Sequence, residues 1–104
     1  MNRELLMLVE AISREKNVER DVVLGAVEAA LAQATKKLYS GDVDIRVTLD
    51  RDSGNYETFR RWEVVADDVV MESPDRQIRM MDAVDEVEGV EVGDYIEEQI
   101  ENSE

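Results

Sequence analysis

The sequence predicts an α+β fold, with an N-terminal helical hairpin packed on a small, mainly antiparallel sheet. Two periodicities carry this expectation. Up to about residue 38, apolar residues recur every three or four positions, as on one face of a helix. After Ser40-Gly41 they alternate every second position, as in a half-buried strand. Size supplies a third constraint, because 104 residues, 43% of them hydrophobic, suit one core and one domain, residues 1–104. Charged residues make up 37%, well above the ~25% of an average globular protein, so a thin core under a heavily solvated surface is expected.

The first helix is expected from Asn2, a plausible N-cap, to roughly Glu15, with Leu5, Leu8, Val9 and Ile12 on its buried face. Asn17 fits the turn that follows. A second helix runs from about Arg20 to Leu38, with Val23, Val27, Ala30, Leu31, Ala34 and Leu38 in helical register. Its five alanines favour helix and allow close packing, while Asp21 in the first turn and Lys36-Lys37 in the last suit the helix dipole.

Val43, Ile45, Val47 and Leu49 alternate with polar residues and form the first strand. Residues 51–55, Arg-Asp-Ser-Gly-Asn, supply a turn with Gly54 available for positive φ, and a second strand follows from Tyr56 to about Val65. Beyond the break at Pro74-Asp75 the pattern is weaker. Gln77–Met81 suits a third strand and Asp82–Val87 a short helix. Gly89 and Gly93 flank a turn, and Asp94–Ile100 suits either a strand or the start of a helix.

Composition removes several kinds of chemistry. Cysteine and histidine are both absent, so disulfides, thiolate metal sites and Ser–His or Cys–His nucleophile pairs have no residues to form them. Neither a Gly-rich dinucleotide motif nor a phosphate-binding P-loop motif occurs. Asp44, Asp50, Asp52 and the pair Asp67-Asp68 invite a cation, but the hairpin lacks the calcium-loop pattern and its aspartates read better as turn formers. The five methionines, including Met80-Met81, read as core filler. Glu4 and Glu10 break up any leader-like apolar run, and nothing approaches the ~20 residues of a membrane span. A cytoplasmic, non-enzymatic domain is expected, without cofactor, metal or small-molecule substrate.

The net charge of −14 is unevenly placed. Residues 1–62 hold 10 basic and 11 acidic side chains, whereas residues 63–104 hold 2 and 15. The acidic part is either a solubilising surface or one suited to a basic protein, and it repels phosphate. Within Tyr56-Glu57-Thr58-Phe59-Arg60-Arg61-Trp62, strand alternation puts Tyr56, Thr58, Arg60 and Trp62 on one face and Glu57, Phe59 and Arg61 on the other. Each face pairs an aromatic residue with an arginine. That is either ordinary snorkelling over buried rings or a surface for protein or RNA. Lys36-Lys37 carries the same ambiguity.

The segment order resembles the N-terminal domain of the bacterial transcription elongation factor family NusA. Ala30-Leu31-Ala32-Gln33-Ala34-Thr35-Lys36-Lys37 is similar to its ALA-x-ATKK signature, and Thr58-Phe59-Arg60-Arg61-Trp62-Glu63-Val64-Val65 to its tFRRWxVV strand. Val43-Asp44-Ile45-Arg46-Val47, with Asp50-Arg51 and Ser53-Gly54, resembles the family's first strand and turn, and Val92-Gly93-Asp94-Tyr95-Ile96-Glu97 its vGDyvE segment. Asn2-Arg3-Glu4 and Glu15-Lys16 match as well. Leu38 stands where members often carry a third basic residue, and Val69–Val92 matches poorly.

The resemblance implies a domain that docks on RNA polymerase, at the flap-tip helix of the β subunit near the RNA exit channel. There it would modulate pausing, termination and antitermination, with the nascent RNA hairpin as a secondary contact. It points to Lys36, Lys37, Arg60 and Arg61 as the polymerase- or RNA-facing candidates, and leaves Phe59 and Trp62 to the core. The S1 and KH domains that follow in the family are absent from residues 1–104, which suggests an excised, monomeric head. The alternative is a free-standing RNA-binding module, which the charge disfavours.

Overall fold

The computed structural model describes residues 3–101, so the Asn2 cap lies outside the described residues. Helix α1 spans Arg3–Lys16 and α2 spans Arg20–Lys36. Asn17 makes the turn between them with φ 53°, a left-handed value that asparagine tolerates. Strands β1 (Asp44–Leu49) and β2 (Tyr56–Val65) form the expected hairpin, in register from Asp44 opposite Arg61 to Leu49 opposite Tyr56. Asp50 closes its turn. One carboxylate oxygen accepts from the amides of Asp52 and Ser53 at 2.8 and 3.0 Å, while Gly54 takes φ 78°.

The difficult C-terminal part resolves into β3 (Gln77–Arg79), α3 (Met80–Glu86) and β4 (Tyr95–Ile100). The segment Asp94–Ile100 is thus a strand and not a helix. Strand β4 pairs antiparallel with β2 from Thr58 opposite Ile100 to Glu63 opposite Tyr95. Strand β3 pairs parallel with Glu63–Val65, the one parallel ladder in the sheet described here. Three partners therefore share β2, which is the axis of the molecule.

Burial is as thin as the composition implied, and it is divided. One cluster holds Val9, Val23, Leu24 and Leu49, where both helices meet the end of β1. A second holds Val43, Ile45 and Val47 under Leu31 and Ala32 of α2. A third, Val64, Ala83 and Val90, lies beneath α3 with Ile78, Met80 and Ile96 around it. Strung along β2, these clusters stretch the domain to 51 × 27 × 26 Å.

Two expectations need correction. Leu8 is exposed and Leu6 packs in its place, because α1 rests mainly on α2 and can bury only a narrow stripe. Met7 and Met81 are exposed as well, so these two are not core filler, whereas Met80 packs on the third cluster.

Candidate functional site

Alternation along β2 separates the two candidate arginines. Arg60 points to the helix-bearing side with Thr58 and Val64, both buried, and Arg61 points to the opposite side. They cannot address one ligand surface together.

On the helix side, the Arg60 guanidinium carbon lies 4.6 Å from the Trp62 ring centroid and 5.5 Å from that of Tyr39. One terminal nitrogen donates to the Asp75 main-chain oxygen at 3.1 Å and stands 4.0 Å from the Asp75 carboxylate. The Nε is buried without a hydrogen-bond partner. The guanidinium is therefore held by two rings and a loop. Such cation–π contacts contribute roughly 0.5–2 kcal/mol, depending on desolvation.

Tyr39 comes just after the end of α2, where its amide donates to the Lys36 carbonyl at 3.1 Å, so the Lys36-Lys37 helix end adjoins the ring that holds Arg60. Lys36 is half-buried and Lys37 exposed, and among the described residues neither forms an ion pair. The helix end is closed by the Lys37 amide donating to the Gln33 carbonyl and the Leu38 amide to that of Thr35. Beside this helix end, Leu31, Ala34, Leu38, Tyr39, Tyr56 and Ile100 line a cleft of about 590 Å³ between α2 and the sheet. It exists because α2 covers β1 while leaving this end of β2 and β4 open.

The other face of the sheet carries a tied network. Arg46 donates from Nε and a terminal nitrogen to the two Glu97 oxygens at 2.7 and 3.0 Å, a bidentate pair. Its guanidinium carbon also sits 4.5 Å from the Phe59 ring centroid. Arg61 places its Nε 3.0 Å from Glu97, without hydrogen-bond alignment, and its guanidinium carbon 3.9 Å from the Tyr95 centroid. The Arg46 hydrogen bonds, helped by the charges of both arginines, hold the Glu97 carboxyl below its usual range against the opposing effect of burial. The Arg46 guanidinium is held protonated even more firmly than usual.

Phe59 and Trp62, expected in the core, are half-buried and lie outside all three core clusters. An arginine occupies space over each ring where a hydrophobic layer would otherwise pack. Sequence reasoning paired each strand arginine with an aromatic of β2. That holds for Arg60 with Trp62, but Arg61 stacks on Tyr95 and Phe59 takes Arg46. Tyr39, Arg46 and Tyr95 were missed for one reason. Their proximity depends on strand register and the path of the chain after α2, which no local pattern encodes. Among the described residues, no three acidic side chains converge as metal ligands would.

Comparison with known proteins follows this architecture. The family model for the NusA N-terminal domain matches residues 4–104. The transcription termination/antitermination protein NusA of Bacillus subtilis (strain 168) is 31% identical over 101 residues, covering 93% of this chain and 25% of that protein. Its counterpart in Rickettsia conorii (strain Malish 7) is 28% identical over 97 residues, covering 93% of this chain and 19% of the relative. The chain thus spans a quarter or less of these relatives' length. The solution structure of the N-terminal domain of NusA from B. subtilis superposes with a TM-score of 0.73 at 29% identity, covering 98% of this chain and 80% of that one. With a family model spanning nearly all of its length and the fold in agreement, the chain belongs to the NusA N-terminal domain family.

Proposed function

We propose that this domain binds RNA polymerase as part of a transcription termination/antitermination factor. It docks on the flap-tip helix of the β subunit near the RNA exit channel and modulates pausing, termination and antitermination. It works by docking and carries no catalytic group. The observation that carries the reading is the family match over residues 4–104, joined to a fold whose two sides differ in character. Tyr39 lines an apolar cleft and holds Arg60 over its ring, and Lys36 and Lys37 come just before it at the end of α2, which suits a partner helix in the cleft and an RNA backbone near that helix end. Arg61 lies across the sheet, bound to Glu97 and Tyr95, and is assigned to a protein-facing role.

The test is retention of the chain on core polymerase and on a polymerase lacking the flap tip. Retention on the first alone is expected, and equal retention on both would sink the reading. Replacing Lys36 and Lys37 by alanine should weaken cross-linking to nascent RNA while leaving polymerase retention intact. The alternative of a free-standing RNA-binding module requires tight, salt-resistant RNA binding by the isolated chain, which a net charge of −14 opposes.

A further inference from the structure

At the Val64 end of β2, loop 66–70 lies against the start of α3. An Asp67 carboxylate oxygen accepts from the Met81 amide at 2.9 Å, and Arg79 donates to the carbonyls of Asp67 and Val69 at 2.9 and 3.3 Å. These bonds tie the loop that carries Val69 and Val70 to the start of α3, which carries Met81, and Val84 lies one helical turn beyond Met81. All four face solvent: Val70 is 83% exposed, Met81 61%, Val84 51% and Val69 48%. Among the described residues no core cluster takes them in, and four large apolar side chains exposed on a loop and the helix it is bonded to offer an apolar face for a partner.

The surroundings select the occupant. From residue 80 to residue 104 there are ten acidic residues and no basic one. The two bases between 63 and 104 are both engaged, Arg76 with Asp42 at 3.2 Å and Arg79 with the loop carbonyls. Arg79 keeps its charge and Glu97 is paired with Arg46 and Arg61, but the other acids of this stretch outnumber them, so the apolar face sits in a predominantly negative field. Such a field repels RNA, an anionic membrane and a second copy of the same face, and draws in a cationic partner.

We propose that this face docks a basic amphipathic segment of a partner protein. Its apolar side chains sit on Val69, Val70, Met81 and Val84, and its lysines or arginines lie beside Asp82 and Asp85. The proposal stands apart from the polymerase reading and uses neither the Lys36–Lys37 corner nor the cleft.

The test is fluorescence anisotropy with two labelled model helices, one built of leucine and lysine and the other of leucine and glutamate. The lysine helix should bind and the glutamate helix should not. The variant V70S/M81S/V84S keeps every carboxylate, and it should weaken binding about tenfold or more, roughly 1.4 kcal/mol. The control M7S/L8S, which changes exposed residues on α1, should bind as the parent does. D82N/D85N should flatten the salt dependence. Equal affinity of the parent and V70S/M81S/V84S would overturn the proposal, since attraction would then be bare charge. Preference for single-stranded RNA, or self-association abolished by V70S/M81S/V84S, would also overturn it. Failure of the parent chain to bind core polymerase would sink the polymerase reading alone and leave the peptide result standing.

Discussion

Glu28 reaches from α2 to the end of β1, where its carboxylate accepts a hydrogen bond from the Leu49 amide at 2.9 Å. Leu49 is 2% exposed and belongs to the cluster of Val9, Val23 and Leu24, so this amide sits against the core. Hydrogen bonds to charged groups contribute about 1.5–3 kcal/mol, and the half-buried position of Glu28 argues for the lower part of that range. Glu28→Ala removes the acceptor and strands the amide, at a cost of about 2 kcal/mol. Glu28→Gln keeps an uncharged oxygen in place and should cost about 1 kcal/mol. For a domain of this size, each kcal/mol lowers Tm by roughly 4–8 °C. The alanine variant should therefore melt about 8–16 °C lower, and the glutamine variant about half as far. Urea unfolding followed by circular dichroism measures both, and hydrogen exchange at the Leu49 amide reports the bond itself. Two outcomes would refute the reasoning. One is an alanine variant within about 0.5 kcal/mol of the parent; the other is equal losses for alanine and glutamine.

Leu24 is fully buried, so Leu24→Ala should cost about 2–5 kcal/mol in urea unfolding, whereas Leu8→Ala, at an exposed site, should stay within about 0.5 kcal/mol. Equal losses would mean that α1 presents a different face to α2. Glu97 titrates below its usual range when folded, chiefly through its hydrogen bonds from Arg46. Its contribution is thus fully present above the ordinary carboxylate range, near pH ~4.3, and is lost as pH falls through the lowered folded value. Glu97→Gln should be destabilising at neutral pH, and the gap from the parent should narrow as pH falls below ~4.3 and close once it is below the lowered folded value. A gap that persists in acid would assign the loss to packing.

Much of the fold was legible because its first 65 residues obey local rules. Alanine-rich helical spacing, a left-handed Asn17, the Asp50–Gly54 turn and clean alternation in β1 and β2 each act within a few residues of chain. After residue 66 these signals thin out. Strand β3 has three residues, α3 seven, and β4 alternates acidic with apolar side chains too weakly to exclude a helix. These short elements are decided by β2, whose free edge positions give them somewhere to pair and whose Val64 gives them an apolar side chain to pack on and bury.

The candidate site divides along the same line. Sequence by itself determined the chemistry: no histidine or cysteine to catalyse with, four candidate cations at Lys36, Lys37, Arg60 and Arg61, and an acidic C-terminal part. Tertiary structure alone decided which cations meet. Strand alternation sends Arg60 to the helix side, between Tyr39 and Trp62, and sends Arg61 across the sheet to Glu97 and Tyr95. The physical reason is that residue type sets what a group can do, whereas its partners are set by register and packing between segments tens of residues apart.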